Sequence, residues 1–257
     1  AELGIDPAAL TGTGVEGAVS VADVEAAAKP IRRTGFDPAE MRKAIAAAMG
    51  RAKREIPHYY LSHTVDLSAA LAWLEAFNAA QPVPQRLLPA VLLLKASALA
   101  LREVPQLNGT YAEGVFQPGG GIHVGWAISL RGGGLVAPAI RDTDARPLPE
   151  LMTQMRDLVQ RARSGGLRAS ELSSPTVTVT SLGERGAETV IGIIYPPQVA
   201  IIGFGSISSR PWVADGRVEA RSLVTVSLAA DHRVTDGHIG ARLLTAIERL
   251  LQEPNTL

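Results

Sequence analysis

The sequence predicts an α/β chain of the α+β type, with helices layered on a sheet. Three observations lead there. Apolar residues switch repeatedly between helical spacing and strand alternation along the chain. The two kinds of segment do not alternate strictly, which argues against a regular barrel. The composition, 46% hydrophobic against 19% charged, provides for large buried faces. Because aromatic residues make up only 4%, Ala, Val, Leu and Ile must fill the core.

Taken in order, Ala1 to Ala28 forms a small helical module, in which Ser20 and Asp23 give a capping pair and Pro30 closes the segment. Residues 29–36 read as a linker. At Asp37 a cap, a first-turn proline and Glu40 open a helix with Met41, Ile45, Ala48 and Met49 on one face; Pro57 ends it. Tyr59, Leu61, His63 and Val65 then alternate with polar neighbours as a strand, and Leu67, Leu71 and Leu74 return to helical spacing. A helix is expected from Leu88 to Arg102, a strand through Ile122, Val124, Trp126, Ile128 and Leu130, and a helix from Pro149 to Arg163. Strands follow at Thr176–Thr180, Val199–Ile207 and Leu223–Ala230, with Asp215-Gly216 as a hairpin turn. A last helix carries Ile239, Leu243, Ile247 and Leu250.

The 25 basic and 25 acidic residues cancel, so no general field draws the chain to nucleic acid or an anionic membrane. The absence of cysteine excludes disulfides, thiolate metal sites and a cysteine nucleophile, so any thiol chemistry uses sulfur from the substrates. The apolar stretch Leu87 to Leu101 contains Pro89 and Lys95, is shorter than the roughly 20 residues of a membrane span, and reads as a buried helix. The chain opens at Ala1 with no charged-then-apolar leader, so the expectation is a cytoplasmic protein, here as a fragment of a longer one.

Gly12-Thr13-Gly14-Val15-Glu16-Gly17 fits the G-x-G-x-x-G pattern, but no buried strand precedes it and no long helix follows, so a turn in the small module is the better reading. None of the five histidines groups with carboxylates at metal spacing, and no metal site is expected. His58, His63 and His123 read as structural and His238 as an exposed residue opening a helix. His232 differs, because it lies between an apolar strand and a helix, where a rigid scaffold displays functional groups. Asp236 and Gly237, which follow it, equally suit a helix cap and turn.

Asp231-His232-Arg233-Val234-Thr235-Asp236-Gly237 resembles the D-H-R-x-x-D-G signature of the dihydrolipoamide acyltransferases (E2) of 2-oxo acid dehydrogenase complexes. Met41 to Ala46, Ile56 to Ser62, Leu94-Lys95-Ala96, Gly134 to Pro138, Thr176 to Gly183 and Pro196-Pro197-Gln198 resemble the same family in the same order, so the likeness runs from Asp37 to Leu257. It implies a chloramphenicol acetyltransferase-like catalytic domain, with a mixed sheet and flanking helices, over residues 37–257. Ala1 to Ala28 resembles part of the peripheral subunit-binding domain, with Ala18 where an arginine usually helps dock a partner enzyme. E1- or E3-type partners are accordingly uncertain from the sequence.

The resemblance implies transfer of an acyl group, acetyl above others, between a dihydrolipoyl thiol and coenzyme A. Catalytic roles fall on His232 as general base, Thr180 as hydroxyl donor to the oxyanion, and Asp236. Ser181 is the nearest alternative donor and a candidate coenzyme A contact. Arg42, Asp231 and Arg233 are structural supports, with an Arg42–Asp236 ion pair expected. Lys29, Lys43, Lys53 and Lys95 lie in no lipoyl-type Asp-Lys-Ala tip, so the lipoyl group must come from another domain or chain. A homotrimer, alone or within a larger core, is the implied assembly. Two other readings stay open: a non-catalytic E2-like core protein, and an acetyltransferase acting on a small-molecule acceptor. Tyr195, where the acetyl-transferring branch usually has Asn, leaves the acyl group undecided.

Overall fold

A computed structural model describes residues 10–14, 17–20, 23, 38–130, 134–183, 186–214 and 216–257. The chain divides into two compact units, 1–37 and 38–257. In the first, the Asp23 carboxylate accepts from the Thr13 hydroxyl (2.6 Å), the Thr13 N–H (3.0 Å) and the Ser20 N–H (2.8 Å), while the Asp23 N–H donates to Ser20 Oγ (3.3 Å). That is the reciprocal cap expected from Ser20 and Asp23. The Thr13 hydroxyl first, then the N–H groups of Thr13 and Ser20, hold the Asp23 carboxyl well below the usual carboxylate range. The remainder of the expected helix, the 29–36 linker and the Asp37 cap lie outside the described residues.

The large unit opens with α1 (Pro38–Glu55), β1 (His58–Asp66), α2 (Ser68–Ala79) and α3 (Pro89–Glu103). Next come the hairpin β2 (Gly109–Ala112) and β3 (Val115–Pro118), then β4 (Val124–Trp126), β5 (Ile128–Ser129), β6 (Leu135–Val136) and β7 (Ala139–Ile140). Helices α4 (Leu148–Ser164) and α5 (Ala169–Ser173) precede β8 (Val177–Ser181), β9 (Ala200–Phe204), β10 (Ser208–Ala214), β11 (Arg217–Asp231) and α6 (Gly237–Gln252). A seven-stranded mixed sheet runs β1-β11-β9-β8-β4-β7, with β10 also paired to β11. The β4–β8 and β8–β9 pairs are parallel and the others antiparallel.

One face of the sheet carries the main core. Val65, Val177, Val179, Ile202, Val224, Val226 and Leu228 meet α3 and the inner faces of α4 and α6. Helix α3 is buried from Val91 through Ala98, which explains why its sequence is apolar all round. Each fully buried leucine there contributes roughly 1.5–3 kcal/mol by leaving water. Lys95 is only 6% exposed, and its Nζ donates to the carbonyls of Asp144 (2.8 Å) and Arg146 (2.6 Å), so the ammonium anchors the loop before α4. Burial pushes its pKa down. A smaller cluster, Ala52, Ile56, Ile194, Ile201 and Ala229, joins α1 and residues 193–194 to the sheet.

Two expectations change in detail. The strand read through residues 122–130 is broken, because β4 pairs with β7 and β8 whereas Ile128 and Ser129 leave to pair with β6 in a separate ribbon. The Val199–Ile207 strand ends at Phe204: the Gly205 N–H still bonds Thr225 O (3.0 Å) in register with β11, but the Ser206 N–H leaves the ladder for Ala187 O (2.9 Å). Gly216 takes a left-handed φ of 73° between β10 and β11, as a hairpin turn requires, while Asp215 lies outside the described residues.

Candidate active site

Strand β11 delivers Asp231, buried at 0% exposure, to the end of the sheet opposite His58 of β1. The chain then turns sharply, and each residue around His232 is tied down. The His232 N–H donates to Pro57 O (2.9 Å), and those of Val234 and Thr235 to Asp231 O (3.0 and 3.1 Å). Arg233 grips the Asp231 carboxylate, with Nε 2.9 Å from Oδ1 and Nη2 2.6 Å from Oδ2, and lays its guanidinium 4.1 Å from the Tyr111 ring centroid. Hydrogen bonding to the Asp231 carboxylate raises the Arg233 pKa.

Asp236 caps α6, its Oδ1 accepting the Ile239 N–H at 3.0 Å, and that bond holds its carboxyl below the ordinary value. The expected Arg42–Asp236 ion pair does not form. Arg42 is exposed on α1 and carries no ion pair among the described residues, and Asp236 is engaged at the helix end. His232 itself is exposed, and neither ring nitrogen hydrogen-bonds to a described residue. Its ring meets Tyr59 edge-on, centroids 5.1 Å apart at 68°.

The other histidines are occupied as the sequence suggested. His58 Nε2 accepts the Ile194 N–H (3.1 Å), which leaves Nδ1–H to donate to Ile56 O (2.8 Å) and fixes a neutral tautomer. His63 Nε2 lies 2.9 Å from Glu248, His123 Nδ1 accepts the Asp142 N–H (3.1 Å), and His238 is exposed. Among the described residues no three His, Asp or Glu side chains gather as metal ligands.

Thr180 stands near the end of β8, half-buried, and its hydroxyl hydrogen-bonds to no described residue. Thr178, two residues earlier, donates instead to Gln198 Oε1 (2.7 Å). Ser181 Oγ accepts the Gly183 N–H at 3.4 Å, a long bond that leaves its hydroxyl available. The register puts Thr180 beside Gly203 of β9 and Gly203 beside Ser227 of β11, so Thr180 is level with a residue well short of His232. At ~3.3 Å per residue and ~4.8 Å per strand, the two Cα positions are about 19 Å apart in one chain. The fold therefore brings Asp231, His232, Arg233 and Asp236 together and leaves Thr180 and Ser181 apart from them.

Sequence reasoning missed Tyr59 and Tyr111 as neighbours of the loop, and gave Thr235 within it no role. The alternation of β1 did place Tyr59 with Leu61, His63 and Val65, which is the face that meets α6; the β2–β3 hairpin that carries Tyr111 gave no period long enough to read.

A family model described as the 2-oxoacid dehydrogenases acyltransferase catalytic domain matches residues 34–257. The acetyltransferase component of the Rhizobium meliloti pyruvate dehydrogenase complex is 31% identical over 98% of this chain. The chain spans 65% of that relative's length. Dihydrolipoamide acetyltransferase of Azotobacter vinelandii, studied for the catalytic roles of a serine, a histidine and an asparagine, superposes with a TM-score of 0.80 at 29% identity, over 86% of this chain and 92% of that one. Chloramphenicol acetyltransferase shares the fold, with a TM-score of 0.52 at 13% identity over 86% of this chain and 98% of that one.

Proposed function

The chain belongs to the 2-oxo acid dehydrogenase acyltransferase family, and on that premise we propose that it moves an acyl group between a dihydrolipoyl thiol and coenzyme A, His232 acting as general base and Thr180 as oxyanion donor. The observation that carries this reading is His232: the residues about it are fastened to the scaffold, while both ring nitrogens are free to meet substrate. The serine, histidine and asparagine studied in the Azotobacter protein lie at the same two intervals along the chain as Thr180, His232 and Asp236 here. Asp236 enters as the cap that holds the loop.

The chemistry follows from these groups. A ring nitrogen of His232 takes the proton from the attacking thiol, a step for which a positioned base contributes about 10² to 10⁴ in rate. The thiolate adds to the thioester carbonyl, and the new oxyanion accepts the Thr180 hydroxyl hydrogen bond. Collapse expels the second thiolate, which recovers the proton from His232. Loss of one such donor costs about 10² to 10³ in rate. Ser181, beside Thr180, is a contact for coenzyme A, and the lipoyl group arrives on another domain or chain.

The separation of Thr180 from His232 within one chain favours a site assembled between subunits, Thr180 from one and His232 from the next, in a closed homotrimer. The test is transfer from acetyl-CoA to free dihydrolipoamide. His232→Ala is expected to abolish turnover while leaving the particle mass unchanged; turnover near that of the parent protein would instead remove His232 from the role of base, and only a parent protein without turnover would support a purely structural core subunit.

A further inference from the structure

The imidazole of His232 packs against an aromatic ring that is itself clamped. Tyr59 meets the His232 ring edge-on at 5.1 Å between centroids. Its hydroxyl shares a 2.9 Å hydrogen bond with Thr235 Oγ1, on a residue only 7% exposed. On the helix side, α6 has glycine at position 240. A Cβ there would stand 2.9 Å from Tyr59 Oη and 2.8 Å from Leu61 Cδ1, so the ring is seated in a notch that only glycine leaves open. Burial raises the Tyr59 pKa, so the phenol remains protonated and able to bond Thr235.

With no hydrogen bond from its ring nitrogens to any described residue, His232 is restrained in its side-chain torsions by packing alone. The same turn links the two ends of this arrangement, since Thr235 lies in the loop that carries His232. Proton abstraction needs the base within about 2.6–3.2 Å of the thiol, and a misplacement of about 1 Å can cost about 10²-fold.

We infer that Tyr59 is the positioning residue of His232: its ring, seated against Gly240 and pinned through Thr235, holds the imidazole where the thiol proton is taken. This inference rests on the reading of His232 as base. It predicts that Tyr59→Leu lowers kcat by about ten- to a hundredfold with both KM values changed less than about twofold, because the restraint acts on the transition state and not on substrate binding. Tyr59→Phe keeps the ring and should return kcat to within about threefold of the parent.

The experiment uses the full chain in the acetyl-CoA to dihydrolipoamide assay, with His232→Asn measured alongside. If His232→Asn retains most turnover, the base assignment fails, and the role of Tyr59 through it fails too. If His232→Asn is slow but Tyr59→Leu matches the parent, only the positioning role is overturned. The double variant separates positioning from a general effect on the fold. With no imidazole to orient, Tyr59→Leu should cause no further loss in the His232→Asn background, whereas a full additive loss overturns the inference. Should Tyr59→Leu not fold, Gly240→Ala crowds the Tyr59 hydroxyl from the opposite side without touching His232. A lower kcat at unchanged KM then supports the positioning role, and an unchanged kcat overturns it.

Discussion

Thr180 and His232 occupy different levels of one sheet: through Gly203, the β8 residue aligns with Ser227, and the remaining strand carries His232 away to about 19 Å. No side-chain rotation closes such a gap, so a site that uses both needs two chains. Co-expression of His232→Ala with Thr180→Val tests this directly. Under random closed-ring assembly about one interface in four joins an intact Thr180 to an intact His232, so the mixture should regain about a quarter of the parent activity. A mixture as inactive as either variant alone would sink the shared-site proposal.

Thr180→Val removes a hydroxyl that has no hydrogen-bond partner among the described residues. Turnover is expected to fall about 10² to 10³-fold, with the coenzyme A affinity little changed, since the bond forms to the oxyanion and not to the ground-state thioester. Steady-state kinetics paired with a direct binding measurement would reveal the contrary case, weakened affinity at unchanged kcat.

The Asp236 cap should be legible in the pH dependence of stability. Its folded pKa lies below the ordinary 3.8 because the carboxylate accepts the Ile239 N–H. A depressed carboxyl pKa gives stability that is complete above the unfolded value and lost as pH falls through the folded one. The Tm difference between parent and Asp236→Ala is therefore expected to shrink in acid, and Asp236→Asn, itself a good cap, should stay close to the parent at neutral pH. A Tm difference that does not change with pH would show that the carboxylate is not the stabilising form.

In the N-terminal unit, Ala18 is exposed and its carbonyl accepts the Gly14 N–H (2.9 Å), so this position offers a partner no cation. Titration of the full chain with a dihydrolipoamide dehydrogenase should show negligible binding. Submicromolar affinity would mean that docking does not depend on a cation at this place.

The sequence by itself determined the order of the longer elements of the large unit, because periodic segments such as Tyr59–Val65 and Ile239–Leu250 carry their own face. It also singled out His232, since the loop motif and the flanking strand and helix are contiguous in the chain. Tertiary structure decided what sits beside that loop. The β2–β3 hairpin brings Tyr111 under Arg233, Gly240 makes the notch for Tyr59, and the 122–130 run divides between two sheets. It also decided that Asp236 bonds the Ile239 N–H rather than Arg42, and that Thr180 lies out of reach of His232. Pattern along a chain reports local conformation and burial, whereas these relations depend on register and close packing between segments far apart in sequence, which only the assembled sheet fixes.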